Sequence, residues 1–145
     1  MRTIHVATTL PTSADRAWQA MQSPATFRYV CRGLIGIPAL TGRTEPLRVG
    51  ERGTAWLFAF HVIPAYRHTI EVIEVNEKTK TIRTNEHGGI ITTWNHTLHT
   101  ELIDEKTCHY SDTVEIDAGP ATAAVAALAI RIYRYRQRRW HQLVQ

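Results

Sequence analysis

Three side chains that could transfer protons, His96, Tyr110 and Asp112, lie on two neighbouring segments of the sequence. Apolar and polar residues alternate along both segments, 90–103 and 107–117, and this alternation predicts β-strands with one buried face. All three side chains fall on the predicted buried faces, where an unpaired carboxylate is costly. Histidine titrates near neutral pH, so beside a carboxylate it can orient a substrate or carry a proton. We therefore take these three as candidate catalytic residues.

The polar link between the two strands predicts how they pair. The sequence "DEKT", residues 104–107, is typical of a hairpin turn. If the hairpin pairs Leu102 with Cys108, His96 lies on the diagonal from Asp112 and within reach of its carboxylate. The buried carboxylate then has three candidate partners: this histidine, the tyrosine two positions before it, or an arginine from the C-terminal segment.

Two interpretations of the His96–Asp112 pair follow. In the first, the pair lines a ligand pocket and takes part in binding or catalysis. In the second, Asp112 holds the arginine-rich C-terminal segment to the sheet through Arg136 or Arg139, and His96 completes a satisfied polar network. The residues alone leave both interpretations open.

The segment "RIYRYRQRRW", residues 131–140, contains five arginines and three aromatic residues. Such a segment can bind nucleic acid or an acidic membrane, but it is also typical of a helix with one buried face. Outside this segment the chain has the other 12 of its 17 basic residues and all 13 of its acidic residues. The rest of the chain is therefore close to neutral, and we expect no broad basic face that binds phosphates. We therefore predict a covering helix and expect neither nucleic-acid binding nor membrane insertion.

At 100° per residue, this helix separates its arginines into two groups. Arg131, Arg134 and Arg138 fall on the side that is predicted to face water. Arg136 and Arg139 fall within the apolar stripe, so they must reach solvent or buried acceptors. The stripe is predicted to contain Val125, Leu128, Ala129, Ile132, Tyr135 and Leu143, with Tyr133 and Trp140 at its edge.

Length and composition predict one globular domain. The chain has 145 residues, of which 43% are hydrophobic and 21% charged, as is typical of a folded domain. Its sequence shows no apolar run long enough to span a membrane and no N-terminal stretch typical of a secretion signal. Two cysteines, Cys31 and Cys108, are too few for a disulfide framework, so we expect a reducing, cytoplasmic location.

The eight histidines do not predict a metal site. His96 and His99 are three residues apart on one strand, so their side chains point to opposite faces. The other histidines are scattered without a ligand spacing. The sequence also has no nucleophile elbow, phosphate-binding loop or dinucleotide fingerprint. We therefore expect no metal and no cofactor, and we interpret Cys31 as a buried thiol rather than a nucleophile.

The remaining segments supply the scaffold. A sheet with one dry face is antiparallel and needs a cover, which a helix of about 24 residues between Pro120 and Val144 can provide. The glycine-rich segment 32–38 is either a flexible gate or an irregular turn. The other predicted elements are a strand at 3–10, helical segments beginning at 12 and 23, strands at 53–62, 66–75 and 79–87, and a hairpin turn at 86–90.

The order of these elements resembles the SRPBCC superfamily of START-like, helix-grip proteins, which includes polyketide cyclases and the birch-pollen-allergen group. The resemblance is carried by "ATTLPTSADRAWQAMQSPATFRYV", "WNHTLHTEL", "HYSDTVEIDAG" and "YRYRQRRWHQL", the last three of which are similar to a bacterial subgroup. It covers essentially the whole chain and implies a single START-like domain over residues 1–145. The implied fold is α+β: an antiparallel sheet of about six or seven strands curved around a long C-terminal helix, with two short helices after the first strand.

The resemblance implies a cavity between the sheet and the C-terminal helix that binds an apolar or aromatic small molecule, similar to a lipid or a polyketide. Two other functions stay open. One is a polyketide cyclase-like, dehydratase or aromatase enzyme that uses His96, Asp112 and Tyr110, and the other is a regulatory or interaction domain without a ligand. The oligomeric state is also open. The residues expected to line the cavity are Trp56, Phe58, His68, Trp94, His96, Leu98, Tyr110, Asp112, Val114, Leu128 and Ile132.

Overall fold

The structure is a computed structural model that describes residues 1–36, 45–59 and 63–145. In these ranges the chain forms seven strands and three α-helices. Their bounds are β1 Arg2–Leu10, α1 Ala14–Met21, α2 Pro24–Cys31, β2 Ile35–Gly36, β3 Arg52–Ala59, β4 Ile63–Asn76, β5 Thr81–Gly88, β6 Ile91–Leu102, β7 Cys108–Asp117 and α3 Thr122–Leu143.

The described strands form one antiparallel sheet in the order β1–β7–β6–β5–β4–β3–β2. The long helix α3 packs on β1 and β7, and α2 packs against α3. The hairpin between β6 and β7 pairs Leu102 with Cys108, which confirms the predicted register. The predicted α+β helix-grip architecture, with two short helices after the first strand, is also confirmed.

One short strand lies where the sequence predicts only a loop. Residues Ile35–Gly36 pair with Phe58 and Ala59 as β2, because the outer edge of β3 exposes backbone groups that the loop can satisfy. The rest of the predicted gate, residues 37–38, lies outside the described residues. The choice between gate and turn therefore stays a prediction.

The sequence explains where the two short helices begin. Ser13 caps α1 by accepting a hydrogen bond from the backbone N–H of Arg16 at 3.2 Å. Pro24 suits the first turn of α2, where no backbone N–H is needed. Both helices contribute to one hydrophobic cluster with the sheet, formed by Leu10, Ala14, Ala17, Trp18, Met21, Val30, Cys31, Ile82, Leu98, Cys108, Tyr110 and Trp140.

The turn after α2 is fixed against α3 at Gly33. Its φ of +92° lies in the left-handed region that favours glycine. A Cβ at this position would lie 2.8 Å from the hydroxyl oxygen of Tyr135. That hydroxyl donates a hydrogen bond to the backbone carbonyl of Arg32. Both the backbone conformation and the close approach of α3 therefore require glycine here.

The helix α3 is rotated from its predicted phase. The prediction that Leu128 lines the interior is wrong, because this residue is 57% exposed. The small side chains of Ala126 and Ala129 face the sheet in its place, since they leave room for the helix to approach closely. Ile132 is only half-buried. The buried residues of α3 are Thr122, Ala126, Ala129, Tyr133, Arg136, Gln137 and Trp140.

The arginines of α3 divide as predicted. Arg131, Arg134 and Arg138 are exposed, Arg136 is buried and Arg139 is half-buried. This division persists despite the rotated phase because Arg136 follows Tyr133 by three residues on the sheet-facing line. None of the described helices is long and apolar enough to cross a membrane.

Candidate functional site

A row of four titratable side chains crosses four strands of the sheet: His68 on β4, Glu86 on β5, His96 on β6 and Asp112 on β7. No two members of the row are directly opposite each other. In each pair of adjacent strands, the member on one strand is two positions away from the residue opposite the member on the other strand. The two side chains therefore lie on a diagonal and within reach of each other. The two histidines and the aspartate are buried, and the Glu86 side chain is only 10% exposed. Four charged or chargeable groups therefore share one buried sheet face.

The row alternates bases and acids. His96 Nε2 lies 2.8 Å from Asp112 Oδ1, and His68 Nε2 lies 2.8 Å from Glu86 Oε1. The two pairs meet where His96 Nδ1 lies 3.9 Å from Glu86 Oε2. The row is therefore a continuous polar path through an otherwise apolar interior.

Asp112 is held by two of its predicted partners and by one that the sequence did not indicate. Besides His96, the hydroxyl of Tyr110 donates to Oδ1 at 3.1 Å. The amide of Gln137 on α3 donates to Oδ2 at 3.0 Å and to the backbone carbonyl of Val6 at 2.7 Å. Neither arginine proposed for this role forms an ion pair with Asp112 in the part of the chain that the structure describes. The contact between helix and carboxylate is thus made by an amide.

The surroundings of both carboxylates keep them ionised. Burial alone raises the pKa of Asp112, but the hydrogen bond and charge of His96, together with the charge of Arg136, lower that pKa below its ordinary value. Burial acts on the pKa of Glu86 in the same direction, and the hydrogen bond from His68 and the charges of both histidines again lower it below its ordinary value. Two carboxylates are therefore held as anions inside the protein.

Glu86 is a member of the site that the sequence analysis missed. The sequence predicts a strand over residues 79–87 that overlaps a turn over 86–90, whereas β5 extends to Gly88. The hydroxyl of Thr84 also donates to this carboxylate. The signal was present in the sequence, because the alternation Ile82, Thr84, Glu86 places the carboxylate on the buried face.

Aromatic groups from α3 and β6 cover His96. The ring centroids of His96 and Tyr133 lie 4.9 Å apart, and the tyrosine oxygen is 3.5 Å from His96 Nδ1. Trp94 Nε1 donates to the same tyrosine oxygen at 3.2 Å. Burial raises the pKa of Tyr133 well above its ordinary value, so its hydroxyl is a neutral donor. This tyrosine is predicted at the edge of the helix stripe, whereas its ring packs against the histidine.

A buried guanidinium lies beside these aromatic groups. Arg136 is 6% exposed, and its guanidinium carbon lies 4.9 Å from the ring centroid of Tyr133 and 5.1 Å from that of Phe27 on α2. Arg139 instead donates to the backbone carbonyl of Tyr29 at 3.2 Å and stacks on its ring. Of these two arginines, Arg136 is the one whose charge acts on the row, through Asp112.

The other residues predicted to line a cavity fall into three groups. Leu98, Tyr110 and Val114 are buried on the same sheet face, and Trp94 is half-buried beside them. Leu128 and Ile132 are displaced by the rotation of α3, as described above. The side chains of Trp56 and Phe58 lie outside the described part of the structure. Within that described part, no group of three or more His, Cys, Asp or Glu side chains is arranged to hold a metal ion.

No protein-family model and no curated protein sequence matches this chain. Solved structures match it over nearly its whole length. Norcoclaurine synthase from Thalictrum flavum is 15% identical and superposes with a TM-score of 0.70, covering 99% of this chain and 92% of that chain. A Chromobacterium violaceum protein gives 14% identity and a TM-score of 0.75, with coverage of 99% and 98%. A START superfamily protein from Mycobacterium smegmatis gives 11% identity and a TM-score of 0.71, with coverage of 99% and 97%.

Another structure of the Thalictrum flavum norcoclaurine synthase is a complex with dopamine and hydroxybenzaldehyde. It superposes with a TM-score of 0.62 at 15% identity, over 94% of this chain and 84% of that chain. At such low identities the likeness establishes the architecture and leaves the chemistry to the residues of the site. The chain therefore has the helix-grip fold that these solved structures share, as its sequence indicates.

Proposed function

We propose that the protein binds an apolar or aromatic small molecule between the sheet and α3. The observation that carries the proposal is the buried row of His68, Glu86, His96 and Asp112, on a sheet face that a purely structural core would fill with aliphatic side chains. Ligand sites are mostly apolar with a few well-placed polar groups. Titratable groups with shifted pKa values also concentrate at such sites.

The surroundings of the row suit such a ligand. Leu98 and Val114 supply buried aliphatic surface on the same sheet face. The rings of Trp94 and Tyr133, with centroids 6.2 Å apart, supply aromatic surface next to His96. The norcoclaurine synthase complex supports the proposal, because two aromatic molecules are bound by a protein with this fold.

Binding is tested by titrating the protein with phenylnaphthylamine, an uncharged aromatic dye whose fluorescence rises in an apolar site. We expect saturable binding at one site per chain. His96→Ala is expected to change the dissociation constant by about fivefold or more, as follows from losing one buried polar contact. His99→Ala is the matched control, because His99 lies on the same strand and bonds to Thr81 on the opposite face. Absence of saturable binding to the unmodified protein would refute the proposal.

An acid–base enzyme is the second candidate, and the 2.8 Å contact between His96 and Asp112 favours it. Such a pair, with the Tyr110 hydroxyl 3.1 Å from the same carboxylate oxygen, can position an imidazole that moves a proton in a cyclase- or dehydratase-like reaction. The variants separate the two functions. An enzyme loses turnover of its bound molecule in His96→Ala or Asp112→Asn while it still binds that molecule, whereas a binding protein shows only altered affinity.

A further inference from the structure

We infer that the bound molecule carries an anionic oxygen group, such as a carboxylate, that pairs with the guanidinium of Arg136. This inference rests on the proposed function, since it specifies the chemical class of the ligand. Arg136 lies on the sheet-facing line of α3 and is 6% exposed. Arginine stays protonated in proteins, so the interior holds a permanent positive charge.

Among the described residues, that charge is incompletely matched. The Nε atom of Arg136 is buried and has no hydrogen-bond acceptor. None of the described carboxylates lies within 4.0 Å of its guanidinium nitrogens, the limit for an ion pair. A buried charged group without hydrogen-bonding partners is costly. An acceptor supplied by a ligand removes that cost.

The two buried carboxylates of the row already accept hydrogen bonds from other residues. Asp112 accepts hydrogen bonds from His96, Tyr110 and Gln137. The other, Glu86, accepts from His68 and Thr84. Asp112 therefore acts on the arginine only through its charge, and neither carboxylate provides the planar acceptor pair that a guanidinium favours.

The aromatic contacts of Arg136 fix its position without satisfying its donors. The guanidinium lies over the rings of Phe27 on α2 and Tyr133 on α3. Ring faces attract a cation but provide no lone pair in the plane of the guanidinium. The N–H groups in that plane are the ones that bind a carboxylate, frequently in a bidentate manner. The stacking therefore holds a donor set ready for an anionic oxygen group.

The position of Arg136 on α3 links this anchor to the row. Its neighbour Gln137 donates to Asp112, and Tyr133, one turn earlier, lies over His96. A ligand whose anionic group binds Arg136 consequently extends its apolar part toward the row. The alternative is a purely structural role, in which Arg136 only joins α2 to α3 through stacking on Phe27.

Two dyes that share one ring system distinguish these roles. Anilinonaphthalene sulfonate carries an anionic sulfonate, and phenylnaphthylamine lacks it. We expect Arg136→Met to weaken the affinity for the sulfonate dye by about tenfold or more, which corresponds to the loss of a charge-assisted hydrogen bond. The affinity for the uncharged dye should change by less than about threefold, because methionine retains an apolar side chain at this position. Arg138→Gln is the control, since it removes the same charge from an exposed position, and it should affect neither dye.

A competition on the unmodified protein serves as a second measurement in case Arg136→Met does not fold. Naphthoate should displace bound phenylnaphthylamine at a concentration about tenfold lower than the uncharged naphthamide does. Equal displacement by the two competitors, or equal effects of Arg136→Met on both dyes, overturns the inference and leaves the proposed function standing. If neither dye binds to the unmodified protein, the proposed function itself fails and the inference fails with it.

Discussion

Asp112 receives hydrogen bonds from two strands and from the C-terminal helix. His96 on β6, Tyr110 on its own strand and Gln137 on α3 all donate to its two oxygens. A buried carboxylate that is fully hydrogen-bonded stabilises the fold. Removing any one donor leaves a buried carboxylate oxygen short of a hydrogen bond, which is costly. The same residue thus joins helix and sheet and holds the imidazole that we propose contacts a ligand.

We predict that Asp112→Asn lowers the free energy of unfolding at pH 7 by about 3 kcal/mol, because it leaves a buried network broken. The pKa of Asp112 lies below its ordinary value in the folded protein. Its ionised form therefore stabilises the fold above about pH 4, the pKa of an unfolded aspartate, and this contribution disappears as the pH falls through the lower folded pKa.

Urea unfolding of both proteins between pH 7 and pH 3 measures this effect. The difference between unmodified protein and Asp112→Asn should shrink toward the acidic end. Glu115 is an exposed carboxylate on the same strand, so Glu115→Gln is the matched control. It should leave the dependence of the free energy of unfolding on pH unchanged. A difference that stays constant across this pH range would show that the charge of Asp112 does not stabilise the fold.

Gln137 gives a second prediction at the residue scale. Gln137→Leu removes the amide that donates to Asp112 and to the Val6 carbonyl. We expect the free energy of unfolding to fall by about 2 kcal/mol, because two buried acceptors lose a partner. Gln142→Leu, at an exposed position of the same helix, should cost less than about 0.5 kcal/mol. Urea midpoints provide the measurement. Equal midpoints for the two variants would mean that the amide bridge contributes nothing.

Among the elements, the strands other than the two-residue β2 were predictable, and the phase of α3 was not. Period-two alternation and a short hairpin fix the register of β6 and β7, and with it the contact between His96 and Asp112. In α3 the sequence places Leu128 within the predicted apolar stripe, yet this side chain is exposed. Ala126 and Ala129 face the sheet instead, because their small side chains permit close approach of the helix to the sheet. No local property of the sequence reveals that orientation, which depends on tertiary packing.

The arginines of α3 test which face of the helix lies in solvent. We expect Arg131→Gln, Arg134→Gln and Arg138→Gln each to change the free energy of unfolding by less than about 0.5 kcal/mol, since all three face solvent. Arg139→Gln should cost about 1 kcal/mol, because it loses the bond to the Tyr29 carbonyl and the stacking on that ring. Equal thermal stability of all four variants would contradict the helix orientation.

The junction between α2 and α3 gives another prediction at this scale. Gly33→Ala should lower the free energy of unfolding by about 2 kcal/mol, because it combines a positive φ with a clash against Tyr135. Gly53→Ala is the control: its Cβ meets no atom within 4 Å and its φ is not in the left-handed region. Thermal melts that show the same loss for both variants would place the Gly33 turn away from α3.

Across the whole molecule, the fold sets polar groups between two hydrophobic clusters. One cluster joins α1 and α2 to the sheet. The other packs Ala126, Ala129 and Tyr133 of α3 on Ile4, Val6, Val114 and Ile116. These clusters stabilise the domain through apolar burial, and the row of histidines and carboxylates adds buried polar contacts to them. At 11–15% identity to solved structures of the same fold, the architecture alone does not specify the function, which we propose depends on these residues.

The central claim, that the interior between sheet and helix takes up a small molecule, is tested most directly by native mass spectrometry of the freshly purified, full-length protein. We predict a species heavier than the bare chain by one small molecule, or, after addition of phenylnaphthylamine, by one molecule of dye per chain. Detection of the bare chain alone, both before and after the dye is added, would contradict the account.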